Sequence, residues 1–207
     1  MARAFSEIAF TPSVRKRQQK HGSRDGYASL DAPETDAGDQ LTEIEARFIR
    51  ARDGFYQATV SESGWPYVQF RGGPVGFLKV LDATSLAYGD FRGNRQYISS
   101  GNLAENDRVS IILMDYPNRA RLKIWAKARQ VMVKDDPDLA AKVALDGYRG
   151  LPERVVVLSV QAFDWNCPQH IPQRFTIAEL APDLTALRNR IRELEEENAE
   201  LKSFLKS

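Results

Sequence analysis

Two neighbouring runs decide the fold: FYQATV at residues 55–60 and WPYVQF at residues 65–70. Both are rich in β-branched and aromatic residues, which pack well on a pleated sheet. The turn signal Ser63-Gly64 lies between them, and two strand-like runs joined by so short a connection are typical of an antiparallel hairpin. The sequence therefore predicts an antiparallel sheet that begins with this hairpin.

More strand-like runs follow, separated by turn signals at residues 82–84 and 116–118; they cover residues 85–88, 109–114, 122–133 and 155–160. Helical interruptions are few: residues 94–102, and residues 136–146 with Pro137 at the first helical position. A series of short strands joined by turns favours a β-barrel with attached helices over a βαβ repeat. We predict a mainly β fold with one core, in residues 42–178.

The N-terminal residues 1–41 contain few apolar side chains. A basic run at residues 15–20 precedes a Gly-, Asp- and Pro-rich stretch at residues 22–39, and this composition predicts an irregular arm. The basic run is either a solvated face or a contact for nucleic acid. Thr42 and Glu45 then form a capping-box pattern, which predicts a helix to about residue 52.

The C-terminal residues 183–206 carry a heptad pattern. With Leu184 at position a, the following d and a positions are Leu187, Ile191, Leu194, Asn198, Leu201 and Leu205. An Asn at position a is typical of parallel two-stranded coiled coils, and the flanking pairs Arg190–Glu195 and Glu197–Lys202 attract between parallel strands. We expect a homodimer closed by this coil; the alternative is an amphipathic helix that packs on its own barrel.

The composition excludes several classes of protein. Lys and Arg number 29 against 28 Asp and Glu, so no global field favours nucleic acid or an anionic membrane. One Cys and two His fall short of a typical zinc set, and we expect no metal. No apolar run approaches the roughly 20 residues of a membrane span, and the first 20 residues are too polar for a signal peptide. We expect a cytoplasmic protein.

One stretch has a pattern that is typical of an anion-binding site. It is YGDFRGNRQ at residues 88–96, where the end of a predicted strand leads through a Gly-rich turn into a predicted helix. Gly89 and Gly93 permit backbone amides to turn inward, the helix N-terminus offers unpaired amides, and Arg95 can fork onto phosphate oxygens. A plain Gly93-Asn94 turn beside a solvated Arg is the alternative. Arg71, at the end of the second run, is another candidate cation.

Two further places hold candidate side chains. Lys123 lies on a strand beside Trp125, which either walls a planar ligand or belongs to the core. Residues 165–174 contain several amide and imidazole hydrogen-bond donors close to two prolines, which stiffen the chain. A nucleophilic pair of Cys167 and His170 is conceivable there, but no third orienting group is evident. The sequence contains no Gly-x-Ser-x-Gly motif of the α/β-hydrolases, no Walker A motif and no Rossmann fingerprint.

In their order along the chain, these motifs resemble the pyridoxamine 5′-phosphate oxidase-like FMN-binding split-barrel proteins. The resemblance covers roughly residues 42–178 and rests on a series of motifs: RDGFY with ATV (52–60), GWPYVQ (64–69), FLKVLD (77–82), DFRGNRQ (90–96), NDRV (106–109) and NCP (166–168). The ordered series is more specific than any single motif.

The resemblance implies a six-stranded split barrel that dimerises and binds two FMN molecules in grooves between the subunits. Carried over, the phosphate would be held by Arg71, Arg95 and the Gly93-Asn94 turn, with help from Gln96. Lys123 would lie near the isoalloxazine. A loop from the partner subunit would cover the flavin and would contribute Trp165, Gln169, His170 and Arg174.

The sequence departs from the true oxidases, because it has no equivalent of their C-terminal Arg-containing segment that binds the substrate phosphate. The expected function is therefore FMN-dependent hydride or electron transfer to an unknown small-molecule substrate, in which the flavin performs the chemistry. The alternative is a non-catalytic module that binds flavin, or haem in the same groove, as a sensor, with the coiled coil as a docking tail.

Overall fold

The computed structural model describes residues 3–32, 34–165 and 168–205. The helices are α1 (Arg3–Ala9), α2 (Pro12–Lys20), α3 (Glu43–Arg50), α4 (Ile98–Glu105), α5 (Pro137–Lys142) and α6 (Ile177–Phe204), and a 3-10 helix spans Asp25–Asp31. The strands are β1 (Gly54–Val60), β2 (Pro66–Gly72), β3 (Lys79–Asp82), β4 (Ser85–Phe91), β5 (Arg108–Asp115), β6 (Ala120–Met132) and β7 (Pro152–Trp165).

The seven strands form one sheet in the order β2-β1-β5-β6-β7-β4-β3. Every pair is antiparallel, and the hairpins β1–β2, β3–β4 and β5–β6 join neighbours in sequence. The sheet curls until β2 approaches β4, so that Nη1 of Arg71 lies 2.8 Å from Oδ1 of Asp90. The predicted β-barrel with attached helices is confirmed.

Three details differ from the sequence-based expectation. The sheet has seven strands instead of six, because Lys79–Asp82 forms a short edge strand that was not among the predicted runs. Helix α4 begins at Ile98, four residues later than predicted. Helix α5 ends at Lys142 instead of residue 146; its N-terminus, with Asp136 as N-cap and Pro137 at the first position, is as expected.

The core fills the barrel interior with alternate side chains of the strands. Phe55 of β1 stacks on Phe77 with 5.6 Å between ring centroids and meets the ring of Tyr88 edge-on at 5.3 Å. The Tyr88 hydroxyl donates a 2.7 Å hydrogen bond to Oε1 of Gln57, also fully buried. Burial raises the pKa of the Tyr88 phenol well above its ordinary value, so this hydroxyl stays a donor at all physiological pH.

Helix α3 starts with the predicted capping box. Thr42 caps the N-terminus, and the Glu45 carboxylate returns to the Thr42 backbone amide at 3.0 Å. Glu45 also accepts a 2.7 Å hydrogen bond from the indole of Trp165 at the end of β7, while Phe48 packs edge-on against the same indole. One turn of helix thus fastens the start of the domain to its last strand.

The N-terminal residues are not an irregular arm, and that prediction was wrong. Helix α1 packs on the sheet, where Phe5 is buried and stacks on Trp125 with ring centroids 5.1 Å apart. Arg15 of α2 forms a two-pronged ion pair with Asp31, at 2.6 and 2.9 Å, so the basic run is partly neutralised within the chain. The stacked aromatic pair supplies packing that the polar local composition does not reveal.

Helix α6 extends away from this core, and none of its residues is buried. The alternative in which its apolar seam packs on its own barrel is therefore not the arrangement found. Within the described residues, no helix combines the length and the apolar character that crossing a bilayer requires.

The hydrogen-bonded Glu45 carboxylate makes the stability of the fold depend on pH. Burial by itself raises the pKa of Glu45. Hydrogen bonds from Thr42 and Trp165 lower this pKa by more than burial raises it, so that it lies below its ordinary value. A lowered carboxyl pKa stabilises the fold above the unfolded-state pKa, and this contribution is lost as pH falls through the folded-state value. We expect E45Q to lower the free energy of unfolding at pH 7 by about 1–2 kcal/mol.

Urea unfolding followed by circular dichroism at several pH values measures this effect. The two proteins should converge in stability as the pH falls below the ordinary glutamate range and the wild-type carboxyl becomes protonated. The matched control is E43Q on the same helix, whose exposed ion pair with Arg50 contributes little. A gap between E45Q and wild type that stays constant over the whole acid range in which the protein remains folded would contradict the assignment.

Candidate functional site

A polar cleft opens where the ends of β2 and β4 meet the start of α4. Arg71 reaches it from β2, and the turn of residues 93–96 lines it. The first turn of α4, Ile98 to Ser100, and Glu153 of β7 line it as well. The structure thus brings together the predicted phosphate-site residues Arg71, Gly93, Asn94, Arg95 and Gln96.

The N-terminus of α4 faces this cleft without a side-chain cap. Its N-cap residue is Tyr97, whose side chain accepts no hydrogen bond from the helix. The first amides of a helix have no partner within the helix and carry its positive dipole end. Since residues 98–100 line the cleft, their amides are placed to receive an anion.

The turn before α4 obtains its shape from left-handed residues other than glycine. Arg95 has φ 64° and Tyr97 has φ 54°, a region that non-glycine residues seldom enter. The prediction that Gly89 and Gly93 turn the amides inward was wrong: Gly89 lies inside β4, and Gly93 has no positive φ. The Asn94 side chain supports the turn instead, since its Oδ1 accepts a 3.2 Å hydrogen bond from the Gln96 amide.

An ion-pair network includes three residues that line the cleft, namely Arg71, Asp90 and Glu153. Asp90 is shared by Arg71, at 2.8 Å, and Arg154, at 3.6 Å. Glu153 is shared by Arg154, at 3.0 Å, and Arg92, at 3.4 Å. Arg71, Asp90 and Arg154 have side chains exposed by only 12–17%.

The charge of this network is positive. Three arginines meet two carboxylates, and Arg95, which also lines the cleft, makes no ion pair within the described part of the chain. Nε of Arg71 is buried and has no hydrogen-bond partner among the described residues. Because a buried donor without an acceptor is costly, the cleft is complementary to an anion with several oxygen atoms.

Hydrogen bonds with residues of four strands hold α4 in place. Ser99 donates to Oε1 of Gln69 on β2 at 3.0 Å, and Asn102 donates to Oγ1 of Thr59 on β1 at 3.0 Å. Ser100 is bound both to Gln130 of β6, at 2.7 Å, and to Arg154. The helix N-terminus is therefore positioned before any ligand arrives, which reduces the entropy lost on binding.

Lys123 does not join this cleft within the chain. Its ammonium lies 3.3 Å from Oδ2 of Asp164 and 4.9 Å from the ring centroid of Phe5. Lys123 and Trp125 therefore lie beneath helix α1. The core alternative for Trp125 agrees with its stacking on Phe5.

The predicted flavin-covering residues also lie outside the cleft of their own chain. The Trp165 indole is engaged by Glu45. Arg174 lies over the ring of Tyr116 at 5.1 Å, next to the turn between β5 and β6. Gln169 and His170 do not line the cleft, and His170 has φ 63°. Cys167, and with it the proposed Cys–His pair, lies outside the described residues.

Sequence reasoning missed part of the site. Ser99 and Ser100 directly follow the quoted motif, and their position at a helix start was a usable signal. Arg154 and Glu153 are more than 50 residues from the motif, and only the antiparallel pairing of β4 with β7, which sets Asp90 opposite Arg154, brings them in. No local sequence pattern carries that pairing.

Fold and cleft together define an antiparallel β-barrel protein with an arginine-lined cleft at the start of a helix. A family model described as pyridoxamine 5′-phosphate oxidase matches residues 41–163, more than half of the chain. The chain therefore belongs to the pyridoxamine 5′-phosphate oxidase family. No curated protein is similar enough to count as a relative.

Solved structures are similar at low sequence identity. HupZ of Group A Streptococcus is 18% identical with a TM-score of 0.50, and the match covers 65% of this chain and 99% of HupZ. A putative pyridoxamine 5′-phosphate oxidase from Lactobacillus delbrueckii is 24% identical, with a TM-score of 0.47 and coverages of 61% and 94%. An FMN-binding protein from Syntrophomonas wolfei is 12% identical, with a TM-score of 0.45 and coverages of 75% and 95%. HupZ, the best superposed of these, supports the fold.

We expect the substitution D90N to destabilise the protein by about 2–3 kcal/mol, because it leaves Arg71 and Arg154 without their shared carboxylate. Removing one partner of a fully buried ion pair costs about 3–5 kcal/mol, and this pair is slightly exposed. Urea unfolding at pH 7 measures the change, and D107N, at an exposed position, is the control. Equal stabilities of the two variants would show that Asp90 does not hold the barrel edge.

Proposed function

We propose that the cleft binds the phosphate of FMN and that the protein is an FMN-dependent oxidoreductase. The observation that carries this proposal is the meeting of Arg71, the 93–96 turn and the uncapped N-terminus of α4 in one positively charged cleft. Membership of the pyridoxamine 5′-phosphate oxidase family supports flavin as the ligand over other phosphate esters.

The residues present fit a phosphate monoester. The guanidinium of Arg71 is held in place by Asp90 and has a spare buried donor in Nε. Arg95 is exposed and lines the cleft, where it can pair with a second phosphate oxygen. The amides at the start of α4 and the hydroxyls of Ser99 and Ser100 surround the remaining space. A dianion would balance the charge of this set.

Bound FMN would supply hydride or electron transfer, so the protein needs to bind and orient it rather than provide an acid–base pair. Asp90 fixes the direction of two arginines, and the bonds of α4 to Gln69, Gln130 and Thr59 keep the amides in place. The substrate is expected to be a small molecule. The single cysteine supports a reducing compartment such as the cytoplasm as the place of action.

A second copy of the chain is proposed to complete the flavin site. Strand β2 supports this idea, because its side chains alternate: Gln69 and Arg71 belong to the cleft, while Val68 and Phe70 are 60% and 58% exposed. Apolar side chains on an open sheet face are typical of an interface. Lys123, Trp165, Gln169, His170 and Arg174 stay predicted contacts of the flavin in such a homodimer.

We expect R95A to weaken FMN binding roughly 10- to 150-fold, because a charge-assisted hydrogen bond contributes about 1.5–3 kcal/mol. Alanine meets the same left-handed φ of 64° as arginine, so the substitution chiefly removes the guanidinium. Quenching of flavin fluorescence measures the dissociation constant. R47A, on the exposed face of α3 and outside the cleft, should bind FMN like wild type; equal affinity of R95A and R47A would contradict this phosphate site.

The redox half of the proposal has its own test. FMN-loaded protein should lose its absorbance near 450 nm when NADH or NADPH is added without oxygen, and regain it in air. Turnover should exceed that of free FMN at equal concentration. Protein that binds FMN but is neither reduced nor active on a panel of oxidisable small molecules would instead be the non-catalytic binding module. Protein that takes up no FMN would contradict both functions.

A further inference from the structure

Helix α6 has a capped N-terminus of its own, and its described residues all lie at the surface of the chain. Thr176 caps it, and Glu179 returns to the Thr176 amide at 2.7 Å, which completes a capping box. The helix then runs for 28 residues to Phe204, and none of them is buried. A single helix of this length with its apolar side chains in water has little to stabilise it. Something outside this chain must cover it.

The observed start of α6 lengthens the heptad pattern. The sequence pattern began at Leu184, but the helix begins one heptad earlier, and residue 177 falls at position a and residue 180 at position d. Eight of the nine seam positions are apolar, and their side chains are 37–87% exposed. The seam consists of Ile177, Leu180, Leu184, Leu187, Ile191, Leu194, Asn198, Leu201 and Leu205.

Pro182 lies inside α6 but does not interrupt the seam. It falls at position f, on the side of the helix opposite positions a and d. Its missing amide removes one hydrogen bond within the helix, and its ring points away from the face that would meet a partner. The seam therefore continues past it from Leu180 to Leu184.

The charged residues beside the seam favour a second copy of α6 as the partner. In a parallel pair, a residue at position g faces position e of the next heptad on the other strand. The longer helix adds Asp183 facing Arg188 to the pairs Arg190–Glu195 and Glu197–Lys202, so that all three pairs attract. This complementarity is between α6 and its own sequence.

We propose that α6 forms a parallel two-stranded coiled coil with α6 of a second copy of this chain. Asn198, the one polar residue of the seam, fixes the alignment. In a parallel, in-register pair it faces Asn198 of the other copy, and the two amides satisfy each other. In an antiparallel pair it would face a leucine and lose its hydrogen bonds. The coil concerns a surface separate from the anion cleft and does not depend on the proposed function.

Disulfide trapping in the full-length chain tests both the partner and the orientation. In a background carrying C167S, the variant L194C places a thiol at a d position of the seam and keeps Asn198, and parallel strands bring the two equivalent Cβ atoms within disulfide distance. The control N189C places a thiol at position f, on the outer side of the coil. After oxidation with glutathione disulfide, L194C should run as a covalent dimer on a non-reducing gel, and N189C should stay a monomer.

Each outcome decides the proposal. Cross-linking of most of the L194C protein at micromolar concentration, with little for N189C, is the expected result. Little cross-linking of L194C in protein that keeps its helical circular dichroism would overturn the proposal, in favour of an antiparallel pair or of a different partner. Equal cross-linking of the two variants would show random collision and would also overturn it. FMN affinity, measured on the same samples, reports independently on the cleft.

Discussion

The carboxylate of Asp90 is shared by two arginines that the sequence separates widely, and both the barrel and the cleft depend on this sharing. Its contact with Arg71 joins β4 to β2, two strands that are not hydrogen-bonded neighbours in the sheet. Its contact with Arg154 ties β4 to the neighbouring strand β7. Desolvating three charged groups is costly unless they compensate one another. The same pairing that permits their burial also holds the Arg71 guanidinium in the lining of the cleft.

The elements with a strong local signal were predictable from the sequence. The hairpin of β1 and β2, the capping box at Thr42 and the amphipathic pattern of α6 depend on residues close together in the chain. The motif that lines the cleft, residues 93–96, belongs to the same class, because its residues lie in one turn. The resemblance to a family then assembled these pieces into one fold, which the structure confirms in architecture though not in strand number.

What could not be predicted depends on contacts between distant residues. Helix α1 is only seven residues long, and it is held by contacts with distant residues, chiefly the stacking of Phe5 on Trp125. Arg154 enters the site through strand pairing, and Trp165 is held by Glu45 across 120 positions of sequence. The left-handed φ of Arg95 and Tyr97 is a further case, because a composition with two nearby glycines pointed to the wrong residues.

The docking of α1 has a consequence for the order in which the chain folds. Residues 3–9 are synthesised before all the strands, yet they contact β6 at Trp125 and also β7, which is the last of the described strands in the chain. Phe5 therefore has no surface to bind until nearly the whole barrel has emerged. During synthesis, α1 and the positively charged helix α2 therefore stay exposed to solvent. They pack onto the domain only after the barrel has formed.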